Sequence, residues 1–165
     1  MSAERPIAYL DVDDTILRHP SAGETAAAPG AAEFLRFLAR HFEVRWLTRW
    51  CPGGIMRPAQ LSQLARHLGL PVPDLDGFRN PCTFEDLETP DGYPSKWRAL
   101  DWDAIAAGRP FVWIENYITR EDEAVLARHR LIDSYIHCDV TAEPGRLAEV
   151  RAILRDRFQL RDDAL

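Results

Sequence analysis

Lysine is nearly missing from this chain. Of the 20 lysine and arginine residues, only Lys96 is a lysine. Cysteine is scarce too, and the three thiols have no Cys-x-x-Cys spacing, so the pattern of a zinc or dithiol centre is excluded. We interpret them as reduced; they are Cys51, Cys82 and Cys138. The formal net charge of −6 argues against nucleic acid as a partner, since phosphate neutralisation needs clustered Lys and Arg.

Long apolar runs are also lacking. No run approaches the ~20 residues that cross a bilayer, and the first residues do not have a signal-peptide pattern. We therefore expect a cytoplasmic protein with no membrane partner. The 165 residues are 46% hydrophobic and 28% charged, which is typical of a globular protein, and we expect positions 1–165 to form a single domain.

Strand and helix patterns alternate along the chain. The predicted strands cover 7–10, 42–47, 111–114 and 134–137. Helical spacing of apolar residues covers 31–40 and 61–68, a segment from Ser95 through Lys96 to Ile105, a segment capped by Thr119, and a last segment from Leu147 to Phe158. This alternation predicts an α/β fold, a doubly wound parallel sheet of about five strands with helices on both faces. The irregular stretch 71–94 is expected to line a site.

The first predicted strand ends in a cluster of acids, Asp11, Asp13 and Asp14, followed by Thr15. Residues at the carboxyl ends of strands face the crevice where open α/β sheets bind ligands. Clustering carboxylates there is costly unless a cation or a phosphoryl group uses them. Taken alone, the segment is better interpreted as a solvated acidic turn, because Asp is common in turns.

Polar groups further along the chain favour a ligand-binding site over a solvated turn. Their order is Asp11 and Asp13 after the first strand, then Thr48, then Lys96, then Glu115 and Asn116 after a later strand. Together they resemble the haloacid dehalogenase superfamily. Its four motifs are a strand leading into Asp-x-Asp-x-Thr, a strand ending in Ser or Thr, a downstream Lys or Arg, and a strand ending in paired acids. The resemblance covers residues 7–116 and implies the same Rossmann-like sheet.

The resemblance implies a magnesium-dependent phosphatase. Asp11 would be the nucleophile that forms an aspartyl-phosphate and would also bind Mg²⁺. Asp13 would be the general acid and base, and its backbone carbonyl would bind the metal. Thr48 would donate a hydrogen bond to a phosphoryl oxygen and Lys96 would neutralise phosphoryl charge. Glu115 would complete the metal site.

The sequence departs from the family pattern at Glu115 and Asn116, where two aspartates are expected. We still expect Glu115 and Asn116 to bind the metal, because magnesium sites often use only one or two carboxylates. Asp at position 13 is typical of phosphatases and phosphomutases. The usual insertion points, 16–29 and 71–94, are too short for a sizeable cap domain, which argues against a mutase. We expect an open site for a phosphorylated small molecule or macromolecule. The alternative is a degenerate member that binds a phosphorylated ligand or protein partner without turnover.

Other residues have two interpretations each. Thr15, Arg49 and Trp50 are candidates for substrate binding, although Thr15 could support the turn and Trp50 could be buried against a helix. Lys96 could be a surface lysine, with Arg98 taking its role. Arg18 and His19 are expected in a solvated loop, with a position facing the site as the alternative. Glu121 and Asp122 are expected to stabilise a helix N-terminus, and the alternative is that they replace the missing acid of the metal site.

Two further function classes fit the sequence less well. A phosphoacceptor receiver domain has its acceptor Asp after the third strand, whereas these acids follow the first. A nucleotide-sugar transferase has its Asp-x-Asp motif after a nucleotide-binding region, and only ten residues precede Asp11.

Overall fold

The main feature of the fold is a parallel sheet of four strands. The computed structural model describes residues 4–51, 55–78 and 95–160. Within them the sheet has the order β4-β1-β5-β6, formed by β1 (Ile7–Leu10), β4 (Glu43–Trp46), β5 (Phe111–Glu115) and β6 (Tyr135–His137). Two short strands, β2 (Leu17–Arg18) and β3 (Ala26–Ala27), form a separate antiparallel hairpin. The described residues thus contain four parallel strands, where the sequence predicts about five.

Helices connect and cover these strands. In chain order they are α1 (Ala31–His41), α2 (Pro58–Leu68), α3 (Pro73–Asp76), α4 (Trp102–Ala106), α5 (Arg120–Arg128) and α6 (Arg146–Phe158), with 3₁₀ turns at Trp97–Ala99 and Ile132–Ser134. None of the helices in the described part of the chain is both long enough and apolar enough to cross a membrane.

The central strand β1 is completely buried and has a core on each of its faces. Ala8 and Leu10 pack with residues of α1, α2 and α6. Ile7 and Tyr9 pack on the other face, with residues that include Leu126 of α5. A continuous apolar run is what a parallel strand covered on both faces requires. The chain is therefore an α/β protein whose sheet is flanked by helices, an arrangement compatible with a Rossmann-like fold.

Most predicted helices and strands are present with shifted ends. Helix α1 begins at Ala31 as predicted, and β4 is shorter than the predicted 42–47. Helix α2 begins three residues earlier than its apolar pattern, because Pro58 is suited to a first helical position. It ends at Gly69, whose φ of 64° is the left-handed conformation that glycine adopts without strain.

The predicted helix from Ser95 to Ile105 is wrong. The segment forms the 3₁₀ turn Trp97–Ala99, an extended residue at Leu100 and the short helix α4. Two causes are visible. The carboxylate of Asp122 accepts the backbone N–H groups of Lys96 and Trp97, and the carboxylate of Asp101 caps α4 by accepting the N–H of Ala104.

The structure describes all of the first possible cap position and only part of the second. Residues 16–29 contain the hairpin β2–β3. In the second stretch, residues 73–76 form α3, and the predicted loop at 79–94 lies outside the described residues, as does Cys82. The two other cysteines, Cys51 and Cys138, are buried thiols, and burial raises the pKa of each to about 12.

Candidate active site

A cavity of about 620 Å³ lies at the carboxyl edge of the sheet. Strand pairing aligns this edge, because Leu10 of β1 is level with Trp46 of β4 and with Ile114 of β5. The residues that follow these strands therefore meet. The cavity lining contains eight of the nine predicted site residues, namely Asp11, Asp13, Thr48, Arg49, Trp50, Lys96, Glu115 and Asn116.

The deepest part of the cavity contains two carboxylates that share one ammonium group. Asp11 and Glu115 are 6% and 2% exposed. Lys96 Nζ donates to Asp11 Oδ1 at 3.0 Å and to Glu115 Oε2 at 2.5 Å, and its third partner is the carbonyl oxygen of Leu47 at 3.1 Å. Lys96 is only 8% exposed, which contradicts the surface-lysine interpretation. Charge-assisted hydrogen bonds of this kind are stronger than neutral ones.

The protonation of these three groups follows from their burial and their charges. Burial alone would lower the pKa of Lys96, but the carboxylates of Asp11 and Glu115 outweigh it, so the pKa is raised and the ammonium stays charged. Burial, reinforced by the negative charge of Asp11, raises the pKa of Glu115 well above its ordinary value, and Lys96 only partly opposes this. Glu115 therefore retains a proton more readily than an ordinary glutamic acid.

Lys96 is held in place by the N-terminus of α5. Asp122 is 1% exposed, and its Oδ1 accepts the backbone N–H groups of Lys96 and Trp97, both at 2.9 Å. Its Oδ2 accepts from the backbone N–H and the hydroxyl of Thr119. The expected helix-capping role of Asp122 is confirmed, and the same carboxylate also anchors the lysine. Arg98 lies outside this network, with its guanidinium half-exposed and 3.8 Å from Glu121.

Asp13 lies in a more open environment, with 45% of its side chain exposed. The indole Nε1 of Trp50 donates to Asp13 Oδ2 at 2.9 Å, and Nε2 of His19 lies 3.1 Å from Asp13 Oδ1. The expected solvated loop is wrong for His19, which is half-buried and contacts Asp13, in agreement with the alternative that it faces the site. Arg18 is also half-buried, but it does not line the cavity.

The other predicted substrate residues differ in their exposure. Thr48 is 1% exposed, and its hydroxyl oxygen accepts the N–H of Trp50 at 3.3 Å, which leaves the hydroxyl hydrogen to donate. Arg49 is exposed at the rim, and Trp50 both lines the cavity and packs on the core. Thr15 is fully buried, and its hydroxyl oxygen accepts the N–H of Asn116 at 3.1 Å, so here it supports the turn.

Several cavity residues were not anticipated from the sequence. Asp14 has a left-handed φ of 55°, and its carboxylate accepts from the hydroxyl of Thr141. Gln60 and Gln63 of α2 and the 40%-exposed Tyr117 also line the cavity. Polar residues on a helix predict only its solvent face, so the sequence contains no signal that places these glutamines at a site.

Few acidic side chains are available at the site to bind a metal ion. Among the residues that the structure describes, no three or more His, Cys, Asp or Glu side chains are grouped so as to hold a metal. Asp11 and Glu115 nevertheless bring two carboxylates together against one ammonium, and Asn116 lines the same cavity. Mg²⁺ commonly uses one or two carboxylates, with water and substrate phosphate supplying the other ligands.

Comparison with known proteins adds no relative from which a function could be transferred. No protein-family model matches this sequence, and no curated protein is significantly similar to it.

Proposed function

We propose that this chain is a magnesium-dependent phosphate-ester hydrolase of the haloacid dehalogenase type, which acts through an aspartyl-phosphate. The observation that carries the proposal is the buried contact of Asp11 with Lys96, beside Glu115. These residues come from three separate segments, in the order in which the family's motifs occur. Their convergence on one cavity is what a shared reaction needs.

The first step is an attack by Asp11 on phosphorus. Lys96 holds Oδ1 of the carboxylate, which leaves the second oxygen to form the new bond to phosphorus. The bond from phosphorus to the ester oxygen breaks, and Asp13 gives that oxygen a proton. In the second step water attacks the phosphorus and Asp13 takes a proton from this water. The bond from phosphorus to the Asp11 oxygen breaks, which restores the Asp11 carboxylate and releases inorganic phosphate.

Charge on the transferred group is balanced by the chain's own donors and by a metal. The hydroxyl of Thr48 and the ammonium of Lys96 line the cavity in which phosphoryl oxygens would lie. Asp11, Glu115, Asn116 and the backbone carbonyl of Asp13 would hold magnesium, which when bound supplies positive charge to the phosphoryl oxygens.

The cavity is larger than a phosphoryl group requires. Its volume of about 620 Å³ lies within the range typical of ligand pockets, and the exposed Arg49 stands at its rim. A bulky leaving group, from a small molecule or a macromolecule, can therefore be accommodated without a cap domain.

A panel of phosphate esters tests the proposal. Phosphate release should require magnesium, stop with a chelator and be lost in Asp11→Asn. The matched control is Asp14→Asn, which changes an acid of the same turn whose carboxylate is bonded to Thr141. We expect this control to keep most of the activity. Release that survives Asp11→Asn would contradict the assignment of the nucleophile.

The alternative, a protein that binds a phosphorylated ligand without turnover, is favoured by one observation. The proposed metal site has only two acidic side chains in contact, and one of them, Glu115, has a raised pKa. This alternative predicts calorimetric binding of a phosphate ester, weakened by Lys96→Met, with no release of phosphate under any metal condition.

A further inference from the structure

His19 lies where the hairpin β2–β3 meets the site, and it has partners on both sides of its ring. Its Nε2 is 3.1 Å from Asp13 Oδ1, and its Nδ1 is 3.3 Å from the carbonyl oxygen of Glu24. The backbone N–H of His19 donates to the hydroxyl of Thr141 at 3.0 Å. The ring is therefore held by contacts with Glu24 and Asp13, and the backbone of His19 is held by the loop that contains Thr141.

Both ring nitrogens of His19 face oxygen atoms. Nδ1 lies 3.3 Å from the carbonyl oxygen of Glu24 and 3.4 Å from the hydroxyl oxygen of Thr25, which can donate or accept. Nε2 faces Oδ1 of Asp13 at 3.1 Å. The ring is therefore held at both nitrogens, and its contact with Asp13 fixes the direction of that carboxylate.

A second ring fixes the other oxygen of the same carboxylate. The indole N–H of Trp50 can only donate, and it does so to Asp13 Oδ2 at 2.9 Å. Asp13 is thus held between two rings from different segments although 45% of its side chain is exposed. An exposed carboxylate without such partners would sample several rotamers.

We propose that His19 is a positioning residue that presents Asp13 as the proton donor to the ester oxygen. This inference rests on the proposed phosphatase function. As the bond from phosphorus to the ester oxygen breaks, Asp13 gives a proton to that oxygen. Asp13 regains one proton from the water that attacks in the second step, so it is unchanged after one turnover.

The role predicts a dependence on the leaving group. Phenoxide is a poor leaving group and needs the proton, whereas p-nitrophenoxide leaves readily without it. Replacing His19 should therefore slow phenyl phosphate hydrolysis much more than p-nitrophenyl phosphate hydrolysis, with little change in KM.

The experiment compares these two esters with the wild type, His19→Leu, His19→Gln and Asp13→Asn. We expect His19→Leu to lower kcat by about tenfold or more for phenyl phosphate and by less than about threefold for p-nitrophenyl phosphate. Gln can place an N–H near the position of Nε2, so His19→Gln should recover most of the loss. Adding His19→Leu to Asp13→Asn should change nothing further.

The matched control is His67→Leu, at a half-buried histidine of α2 outside the cavity lining. This variant should hydrolyse both esters with the kcat of the wild type. Equal losses on both esters in His19→Leu, or no recovery in His19→Gln at an unchanged Tm, would overturn the positioning role. If the wild type itself turns over neither ester, the proposed function fails instead, and the two failures are thus distinguished.

Discussion

Asp11 and Asp13 are two residues apart in the sequence but lie in contrasting environments. The side chain of Asp11 is 8% exposed and is bonded to the buried Lys96, whereas that of Asp13 is 45% exposed and lies between two rings. The site thus has a buried half, formed by Asp11, Thr48, Lys96 and Glu115, and an open half, formed by Asp13, His19 and Trp50.

The end of β1 explains the difference. The backbone N–H of Asp11 still donates to the carbonyl of Ile114 in β5, so this residue stays level with the sheet and its core. Asp13 lies in the turn beyond the sheet. A fixed, dry position suits a nucleophile, and an accessible position suits a group that must exchange protons with a leaving group and then with water.

The largest effect should follow from removing the charge of the buried half. Lys96→Met should lower kcat by ~10²- to 10³-fold, because the phosphoryl charge loses its ammonium partner. It should also lower the free energy of unfolding by about 3 kcal/mol, since Asp11 and Glu115 remain buried without their shared cation. Phosphate release and thermal melting measure the two effects.

The control for this variant is Arg98→Met, which removes a half-exposed cation two residues away. It should leave both quantities nearly unchanged. A similar loss in both variants would mean that general charge, and not the contact of Lys96 with Asp11, matters.

A smaller effect should follow from loosening the anchor of the lysine. In Asp122→Asn an amide replaces the carboxylate that accepts the N–H groups of Lys96 and Trp97, and we expect about 2 kcal/mol lower stability. Because Lys96 is then misplaced, kcat should fall by about tenfold. Glu123→Gln, on the exposed face of the same helical turn, is the matched control for urea unfolding and for kinetics. If kcat is unchanged in Asp122→Asn, the anchoring of Lys96 by Asp122 does not contribute to the reaction.

The open half should be more tolerant. Trp50→Phe removes only the indole N–H that Asp13 accepts, and keeps most of the aromatic packing. One hydrogen bond of this kind is worth about 1 kcal/mol, so kcat should fall by roughly fivefold or less. A loss as large as that of Lys96→Met would erase the distinction between the two halves.

The smallest effect concerns the stability of the fold at low pH, to which Asp101 and Glu43 contribute away from the site. A hydrogen bond from Ala104, and then Arg45, lowers the pKa of Asp101. Burial would raise the pKa of Glu43, but Arg109 and Arg45 outweigh it and lower it. These acids stabilise the fold above their unfolded pKa of ~4, and this contribution is lost as the pH falls through their lower folded values.

The contribution of these two acids to the melting temperature should therefore be constant between about pH 5 and 7 and decrease below about pH 4. Asp101→Asn keeps a capping side chain for α4 but cannot titrate, so its decrease should be shallower. A decrease as steep as that of the wild type would place the acid sensitivity in other groups, including the site itself.

The sequence predicted the parts of this architecture that depend on local patterns. The apolar run of β1, the glycine that ends α2 and the cap at Thr119 all follow from neighbouring residues. Eight of the nine predicted site residues line one cavity at the edge where the parallel strands end. Their chemical roles remain predictions.

Contacts between distant segments could not be predicted in the same way. The segment around Lys96 has helical spacing, but Asp122 lies 26 positions later in the sequence and competes for its backbone N–H groups. The indole of Trp50 donates to Asp13 from a position 37 residues later. Apolar spacing measures a local period and carries no information about which remote acceptor lies nearby.

The most direct test of the central claim is to trap the phosphorylated protein. Acid quenching shortly after mixing with p-nitrophenyl phosphate and magnesium, followed by peptide mass spectrometry, should find one phosphoryl group on Asp11, absent in Asp11→Asn and with a chelator. Phosphate release with the phosphoryl group on another residue, or on none, would contradict the role of Asp11 as nucleophile.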